Sequence, residues 1–599
     1  MLYPRKSETR DVKDLSGIWR FKIDRHNKGL KEKWFLKPLA NTIPMPVPAS
    51  YNDITQDVSL RNHTGYVWYE KEVYLSRFWE NEQLRLRFGS ATHHAVVYIN
   101  GRKIISHKGG FLPFEADITS WLKTRRIRIT VALDNRLDWT CLPPGEVRKY
   151  NDADHPPGFK YIDYEFDFLN YAGLHRPVRI YTVPRNYIRD ITITTDIKGG
   201  QGIVRYNTET VTAGAGYRIE CVLLDKNNKT CARCRGNKGK ISLNRAHFWS
   251  PDDPYLYSLK VTLVDNRGQV KDVYYQPVGI RSIKLKGRRF YLNNQPFYFK
   301  GFGKHEDMDI KGRGMDHALN VKDFNLLKWL GANSFRTSHY PYSEEIMNLA
   351  DEMGFLVIDE TPAVGMNTDD KKPIFCSKRV NKKTLAHHKD VLREMVARDK
   401  NHPCVVMWSI ANEPASYEKN AGPYFKALAD LTRKLDPTRP VTMVNASAPE
   451  KCQAARYLDV ICFNFYSSWY WDCGRLEVIP PQFKEAVKGW KKFNKPVMLT
   501  EFGADALSGF SQSPPVMFSE EYQCAMTELI QKLVAKSGLI GEHVWAFADF
   551  YTKENIFRPI GNRKGVFTRQ RQPKKIAYIL KSRWQGKPAR YLDDYPVKV

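Results

Sequence analysis

The chain has 599 residues, of which 42% are hydrophobic and 13% aromatic, and this length predicts two to four domains because one hydrophobic core does not grow to that size. No apolar run approaches the roughly 20 residues of a membrane span and the first residues lack the apolar core of a signal peptide, so we expect a cytoplasmic protein without a membrane partner. The 94 Lys and Arg exceed the 65 Asp and Glu by 29, but they are dispersed and accompany no nucleic-acid-binding motif, so we expect no nucleic-acid partner.

The first part of the chain, residues 1–184, is rich in strand and turn signals. Asn100-Gly101 has the composition of a tight hairpin turn, and polar and apolar side chains alternate in the runs around it. Candidate strands cover residues 17–21, 67–73, 84–88, 95–99 and 127–131. This pattern predicts an antiparallel β-sandwich.

A second β-rich block covers residues 185–279, and its length fits an immunoglobulin-like β-sandwich. The ten Cys are scattered, and only Cys231 and Cys234 have a metal-like spacing. Because no second pair of Cys or His lies near them in the sequence, we predict no metal site and place both thiols in a hairpin turn. Candidate strands of this block are residues 191–194, 217–223 and 257–263.

After residue 279 the pattern changes to strands that alternate with helices. Eight parallel strands with intervening helices over about 320 residues form a (β/α)₈ barrel, in which catalytic groups lie at the carboxyl ends of the strands. We therefore predict a multidomain β plus α/β protein with a catalytic barrel over residues 280–599. The candidate barrel strands are residues 297–301, 334–337, 356–358, 405–410, 442–445, 460–464, 497–500 and 544–547.

Two glutamates follow apolar runs of this barrel. Glu413 comes shortly after the fourth candidate strand, in Asn412-Glu413-Pro414, and Glu501 directly follows the seventh. A carboxylate at the end of a buried strand costs desolvation free energy, so two such ends suggest one shared acid–base site. Glycoside hydrolysis requires two carboxyl groups that face one bond. The alternative for either glutamate is a helix cap or a structural salt bridge.

Five strings give the chain a wider resemblance. They are residues 170–176 (NYAGLHR), 301–307 (GFGKHED), 336–341 (RTSHYP), 408–414 (WSIANEP) and 500–503 (TEFG). Together they resemble the β-glucuronidases of glycoside hydrolase family 2 across essentially the whole chain. The resemblance implies an N-terminal jelly-roll, an immunoglobulin-like domain and a catalytic barrel. It also implies a homo-oligomer that uses no cofactor and acts on small-molecule or oligosaccharide glucuronides.

By this resemblance Glu413 is the general acid/base and Glu501 the nucleophile of a retaining double displacement. The chemistry agrees, because the nucleophile must be ionised while its partner holds a proton, which requires environments that separate the two pKa values. The resemblance further implies that Asn412 binds the sugar's 2-hydroxyl, although a helix cap is its alternative role.

Other strand ends supply groups that resemble sugar contacts in the family. Tyr466 resembles a tyrosine that donates a hydrogen bond to the nucleophile, and Trp545 resembles the platform under the sugar. The alternative for these aromatic residues is packing inside the barrel. Four more residues follow the same pattern: Asn464, Tyr470, His305 and His339. The two histidines either touch the sugar or orient the glutamates.

The loop after the eighth strand distinguishes a uronic acid from a neutral sugar. A carboxylate on the sixth carbon requires a fixed cation and a neutral donor, which Asn562 and Lys564 offer from one turn. In their context they resemble the glucuronidase motif, and the resemblance implies help from Arg558. Asp167 resembles an aspartate of the N-terminal domain that reaches the sugar's 4-hydroxyl.

One segment of the chain departs from the family pattern. Bacterial relatives often carry a longer loop where this chain has residues 366–379, which are short, basic and polar. The short segment leaves the mouth of the active site more open to larger glucuronides or oligosaccharides, unless a neighbouring subunit completes the loop.

The alternatives in activity are a β-galacturonidase, whose substrate differs in the orientation of one hydroxyl, and the neutral-sugar β-galactosidases or β-mannosidases. The Asn562–Lys564 turn argues against the neutral sugars. A remote alternative is a non-catalytic polyanion-binding protein on a barrel scaffold.

Overall fold

The computed structural model of the chain describes residues 1–368 and 372–587. These residues form two antiparallel β regions followed by a closed barrel of parallel strands, so the predicted fold class is confirmed. The predicted barrel domain extends to residue 599, and its last residues, 588–599, lie outside the described residues. Among the helices of the described ranges, none combines the length and the apolar character that crossing a membrane requires.

The N-terminal region is a sandwich of two antiparallel sheets with strand orders β1-β12-β5-β8 and β3-β2-β4-β9-β6-β7. Asn100 and Gly101 connect β6 to β7 with φ values of 49° and 86°, as the predicted hairpin turn requires. One short helix, α1, is Val58–Arg61. The strands β1 to β12 are Val12–Asp14, Gly17–Ile23, Ile43–Val47, Tyr66–Tyr74, Gln83–Phe88, His94–Ile99, Arg102–Lys108, Phe114–Asp117, Arg126–Asp134, Glu146–Lys149, Lys160–Asp163 and Val178–Val183.

The second region is a smaller sandwich, with sheets ordered β13-β14-β17 and β16-β15-β18-β19. The placement of Cys231 and Cys234 in a turn was wrong, because both lie within strand β16, where Cys234 is opposite Cys221 of β15. Residues three apart in a strand point to opposite faces, so the two thiols face different ways. The strands β13 to β19 are Tyr187–Lys198, Gln201–Val211, Arg218–Leu224, Thr230–Arg235, Lys238–Leu243, Tyr257–Val264 and Val270–Val278.

A short antiparallel sheet, β20-β21-β22, leads into the barrel, whose eight strands β23 to β30 pair in sequence order and close by pairing of β30 with β23. The three leading strands are Ile283–Lys286, Arg289–Leu292 and Gln295–Pro296. The barrel strands are Phe299–Gly303, Ser334–Arg336, Leu356–Glu360, Val405–Asn412, Val441–Asn445, Ile461–Asn464, Val497–Glu501 and Gly541–Trp545.

The last strand begins at Gly541, earlier than the predicted Val544. The prediction missed the first half of this strand because that half contains two polar residues. Glu542 and His543 are both buried, and each makes a hydrogen bond inside the protein. Trp584 donates to Glu542 at 2.9 Å, and Ser334 lies 3.0 Å from His543. The apolar pattern of the sequence does not show the start of this strand, because its buried side chains there are polar and hydrogen-bonded.

Helices surround the barrel and have clear ends. The side chain of Ser343 caps the first turn of α3, and Gly354 ends that helix in a left-handed conformation. The helices α2 to α8 are His317–Leu330, Glu344–Met353, Lys382–Asp399, Ala421–Leu435, Ile479–Lys491, Glu520–Ser537 and Lys575–Gln585.

The N-terminal region contributes one segment to the mouth of the barrel. Phe168 pairs with Thr552 in the loop after β30, and the next backbone N–H, of Leu169, donates to the carbonyl of Tyr551 at 2.9 Å. These contacts fix the neighbouring Asp167 above the carboxyl ends of the barrel strands.

Candidate active site

Glu501 is the last residue of β29, and both of its carboxylate oxygens accept hydrogen bonds. Arg336, at the end of β24, donates to one oxygen, and the hydroxyl of Tyr466 donates to the other at 2.7 Å. Glu501 is only 4% exposed. A guanidinium and a hydroxyl donor hold this carboxyl group in a fixed position, so Glu501 has the surroundings of a nucleophile.

Glu413 lies directly after β26 in surroundings of the opposite kind. Its φ of 46° is in the left-handed region that non-glycine residues seldom adopt, and such strain is typical of functional sites. Its carboxyl accepts a hydrogen bond from Asn464 at 2.6 Å. Loss of solvent in the pocket, with repulsion from Glu501, raises the pKa of Glu413 to about 7. It therefore keeps a proton near neutral pH, as a general acid must.

Arg336 links the two sides of the barrel and was not assigned a role from the sequence. It is fully buried, with one nitrogen on Glu501 and another 2.7 Å from Glu360. Burial lowers the pKa of Arg336, but the carboxylates of Glu360 and Glu501 raise it by more. The guanidinium therefore stays charged and fixed. Its sequence signal was a charged residue at the end of a barrel strand, the same signal that identified the glutamates.

Glu360 ends β25 and was also missed. Besides Arg336, its oxygens contact the ring of His339 at 3.1 Å and the hydroxyl of Ser409 at 2.7 Å. Burial raises the pKa of this carboxyl, but Arg336 and His339 lower it by more, so it remains ionised. The contacts of Glu360 are all with buried neighbours, so this side chain holds those neighbours in place.

Aromatic rings form one wall of the pocket. Trp545 ends β30, and the ring of His339 stacks on it with centroids 5.0 Å apart. His305 meets the edge of Trp545 at 5.4 Å, and burial lowers the pKa of His305 well below its usual value, so this ring is neutral. Asn412 ends β26, and its side-chain oxygen lies 3.4 Å from Arg336. Trp545 and Asn412 thus flank the carboxylate pair.

A second cluster lies in the loop after β30. Lys564 is fully buried, its ammonium is paired with Asp505, and it lies 4.6 Å from the ring centre of Trp469. Burial lowers the pKa of Lys564 to about 8, although the charge of Asp505 opposes this effect. Asp505 was not assigned from the sequence. Its pKa stays below its usual value, because Lys564 and Arg558 outweigh the effect of burial.

Asp167 connects the N-terminal region to this cluster. Its two oxygens accept from Arg558 at 2.8 Å and from Asn562 at 2.7 Å. Arg558 also donates to the hydroxyl of Tyr470 at 2.6 Å. The ring of Tyr470 is 5.2 Å from that of Tyr466, which joins this cluster to the carboxylate pair. The structure thus brings all the sequence-predicted site residues to one end of the barrel, where their individual roles remain predictions.

One group with metal-like geometry occurs in the described ranges, and it lies elsewhere. Asp351, His402 and Cys404 are close together at the amino end of β26, whereas Glu413 follows its carboxyl end. The oxygens of Asp351 already accept from the Cys404 backbone at 2.9 Å and from His402 at 2.5 Å. These contacts are those of an internal ion pair, so this group is no part of the candidate site.

Comparisons with known proteins agree over the full chain. Three family models match: "Glycosyl hydrolases family 2, sugar binding domain" over residues 12–184, "Glycosyl hydrolases family 2" over 186–281, and "Glycosyl hydrolases family 2, TIM barrel domain" over 283–587. The chain is 52% identical to a Paenibacillus borealis protein named beta-glucuronidase, covering 100% of both. It is 48% identical to the Rattus norvegicus beta-glucuronidase, covering 98% of this chain and 92% of the rat protein. The solved beta-D-glucuronidase structure from Dictyoglomus thermophilum is similar, with a TM-score of 0.93 and 47% identity over 99% of this chain and 100% of that one.

Proposed function

As the chain belongs to glycoside hydrolase family 2, we propose that it hydrolyses β-D-glucuronides to D-glucuronate and an aglycone by a retaining double displacement. One observation carries the reaction type: a carboxyl group with a pKa of about 7, on Glu413, shares a pocket with the carboxylate of Glu501, which Arg336 and Tyr466 hold in place. The proposal assigns the pocket to the barrel of residues 280–599, with the jelly-roll over 1–184 and the immunoglobulin-like domain over 185–279.

In the first step an oxygen of Glu501 bonds to the anomeric carbon while the bond from that carbon to the glycosidic oxygen breaks. Glu413 gives its proton to the departing oxygen. In the second step a water oxygen bonds to the anomeric carbon, the Glu501 carboxylate leaves, and Glu413 takes the proton of the water. Arg336 and Tyr466 stabilise the carboxylate before attack and after release.

The sugar lies between the two clusters in this proposal. Its carboxylate meets Lys564 and Asn562, with Arg558 nearby, because these groups supply a cation and a neutral donor at the buried end of the pocket. Trp545 supports the ring, and Asp167 receives the 4-hydroxyl. The remaining contacts with the sugar come from Asn412, Asn464, His339 and Tyr470.

We also propose a cytoplasmic homo-oligomer without a cofactor. All ten cysteines are free thiols, which supports a reducing compartment. The oligomeric state rests on the family resemblance alone. Light scattering on the purified full chain tests it, and a mass of 69.5 kDa, that of one chain, would reject it.

A panel of 4-nitrophenyl β-glycosides tests the activity. We expect rapid hydrolysis of the glucuronide and slow hydrolysis of the galacturonide, glucoside, galactoside and mannoside. Faster turnover of the galacturonide would make galacturonate the preferred sugar and leave the proposed mechanism unchanged. Faster turnover of a neutral glycoside would contradict the role of Lys564, and no turnover of any substrate would contradict the enzyme.

A further inference from the structure

A cavity of about 310 Å³, which we call the basal cavity, lies at the amino end of the barrel strands. Its walls come from strands β13 and β14 of the immunoglobulin-like region, from the connection of residues 278–284, and from the segments that lead into β26 and β27. Glu413 and Glu501 lie at the carboxyl ends of the strands, which is the opposite end of the barrel. The basal cavity is therefore separate from the candidate active site.

The lining of the basal cavity is strongly basic. Five cations line it, against one acid, Asp196. Two of the five, Lys400 and Arg439, are paired with aspartates. Within the part of the chain that the structure describes, the other three have no carboxylate partner: Arg205, Arg281 and Lys284. The cavity thus carries positive charge that the protein itself leaves uncompensated.

Arg281 is the most deeply placed of these cations. It is 6% exposed, and its guanidinium donates to the backbone carbonyls of Pro403 and Val405, the second at 2.6 Å. Its other terminal nitrogen, Nη1, has no hydrogen-bond partner in the described ranges. Burial, with repulsion from Arg439, lowers the pKa of Arg281 to about 9. A buried charge without a counter-ion costs free energy, which an anion in the cavity would reduce.

The residue after Arg281 provides an unused hydrogen-bond donor. Ser282 also lines the basal cavity and is 3% exposed. Its hydroxyl is buried and has no hydrogen-bond partner among the described residues. Buried hydroxyls are normally hydrogen-bonded, so this group indicates a missing partner independently of the charges. An anion with several oxygens accepts from a hydroxyl and from a guanidinium alike.

The two remaining unpaired cations come from different parts of the fold. Arg205 is exposed on β14 of the immunoglobulin-like region. Lys284 is half-buried on β20, and its ammonium donates to the neutral side chain of Asn294 at 2.7 Å. Together with Arg281 they border one space from two regions of the protein. A single anion can therefore interact with all three.

The surroundings leave room for more than a bare ion. A second cavity of about 690 Å³ shares Lys284 and Arg439 with the basal cavity, so the two spaces adjoin. Its acid, Asp459, is paired with Arg433 at 2.9 Å. Arg456, which also lines it, is exposed and has no carboxylate partner in the described residues. These volumes are in the range of small-molecule sites, and the second space can accommodate the organic part of an anionic ligand.

We propose that the basal cavity binds a small ligand through a tetrahedral oxyanion, the chemistry that phosphate and sulfate groups share. The three unpaired cations and the Ser282 hydroxyl hold the oxyanion, because guanidinium groups match its oxygens with paired hydrogen bonds. The inference goes beyond the proposed function and does not depend on it. The ligand contacts both the immunoglobulin-like region and the barrel, so binding stabilises the folded chain.

The test is thermal unfolding of the full chain with inorganic phosphate or inorganic sulfate, while sodium chloride keeps the ionic strength constant. At about 10 mM of either anion we expect the midpoint temperature to rise by roughly 2 to 4 °C, because the ligand binds only the folded chain. The anion that gives the larger rise identifies the preferred group. Replacement of both Arg205 and Lys284 by Ala should remove most of the rise and leaves the contacts of Arg281 with the barrel in place.

A matched variant removes the same two residue types elsewhere. Arg102 and Lys103 are exposed on β7 of the N-terminal sandwich, and their replacement by Ala should leave the wild-type rise unchanged. Phosphate and sulfate also stabilise proteins in general, so equal rises in all three proteins would reject the inference, as would no rise in the wild type. A rise that is lost in Lys564→Ala and kept in the Arg205 and Lys284 variant would place the anion in the candidate active site and reject it as well.

Discussion

The ammonium of Lys564 is paired with the carboxylate of Asp505, and both side chains are buried at the end of the candidate pocket. A buried cation without a partner is prone to lose its proton, and burial lowers the pKa of Lys564 to about 8 even against the opposing effect of Asp505. Asp505 therefore keeps Lys564 charged while the pocket is empty. In the proposed function a bound uronate shares that charge with Asp505, and Arg558, 3.9 Å from Asp505, supplies a second cation.

The first prediction concerns Lys564 itself. Lys564→Ala should lower kcat/KM for a β-glucuronide by about two to four orders of magnitude, because a charge-assisted hydrogen bond is lost and a carboxylate is left unpaired in the pocket. The matching β-glucoside has no carboxylate and should be hydrolysed about as slowly as before. The measurement is the ratio of the two kcat/KM values, and equal slowing of both substrates would contradict the assignment.

The second prediction concerns Asp505 and pH. The Lys564 cation is present below its pKa of about 8 and is lost as the pH rises through that value. Asp505→Asn removes the charge that opposes the effect of burial, so for 4-nitrophenyl β-glucuronide, whose leaving group needs little help from Glu413, the upper pH limit of hydrolysis should move to lower pH by about one unit. The pH profile of kcat/KM measures it, and the glucoside should show no such shift.

Asp549→Asn is the matched control for this variant. Asp549 is a buried carboxylate that pairs with a different lysine, Lys574, at 2.8 Å. Its replacement should lower stability but leave the pH limit of glucuronide hydrolysis in place. A shift of that limit in the control and not in Asp505→Asn would show that another group titrates.

The barrel could be predicted because its strands are apolar runs separated by helices, and the glutamates because each follows such a run. The cation that pairs with Glu501 could not be predicted. Arg336 and Glu501 are 165 positions apart in the chain, and only closure of the barrel brings their side chains together. Glu360 and Asp505 were missed for the same reason, since a single sequence does not indicate which buried charges face each other.

The third prediction concerns Arg336. Arg336→Met leaves the buried carboxylates of Glu360 and Glu501 without their shared cation, so the free energy of unfolding should fall by about 3 to 5 kcal/mol. In the wild type, Arg336 lowers the pKa of Glu360. This shift stabilises the folded chain at pH values above the pKa that Glu360 has in the unfolded chain, and the stabilisation is lost as the pH falls through the pKa that Glu360 has in the folded chain. Urea unfolding at several pH values measures both effects. Wild-type stability in Arg336→Met would refute the role of this ion pair.

The fourth prediction concerns stereochemistry. By resemblance to the family, the carboxyl groups of Glu413 and Glu501 flank the bond at about 5 to 5.5 Å, too close for a water molecule to attack from the opposite face. The first-formed sugar should therefore be the β-anomer. Proton NMR during the first minutes of hydrolysis measures it, and early appearance of the α-anomer would exclude the double displacement.

The last prediction separates the two glutamates. Glu501→Gln should stop the first step for every substrate, because the amide cannot bond to the anomeric carbon. Glu413→Gln removes the proton donor of the first step, which kcat/KM reports, so by that measure a good leaving group such as nitrophenolate should retain far more activity than a simple alkoxide. In the wild type, hydrolysis of an alkyl glucuronide should decline as the pH rises through the Glu413 pKa of about 7, because the acid loses its proton there. Comparison of kcat/KM for aryl and alkyl glucuronides measures both effects. Equal residual rates on the two substrates in Glu413→Gln would show that Glu413 is not the acid, because protonation matters most for the poorest leaving group.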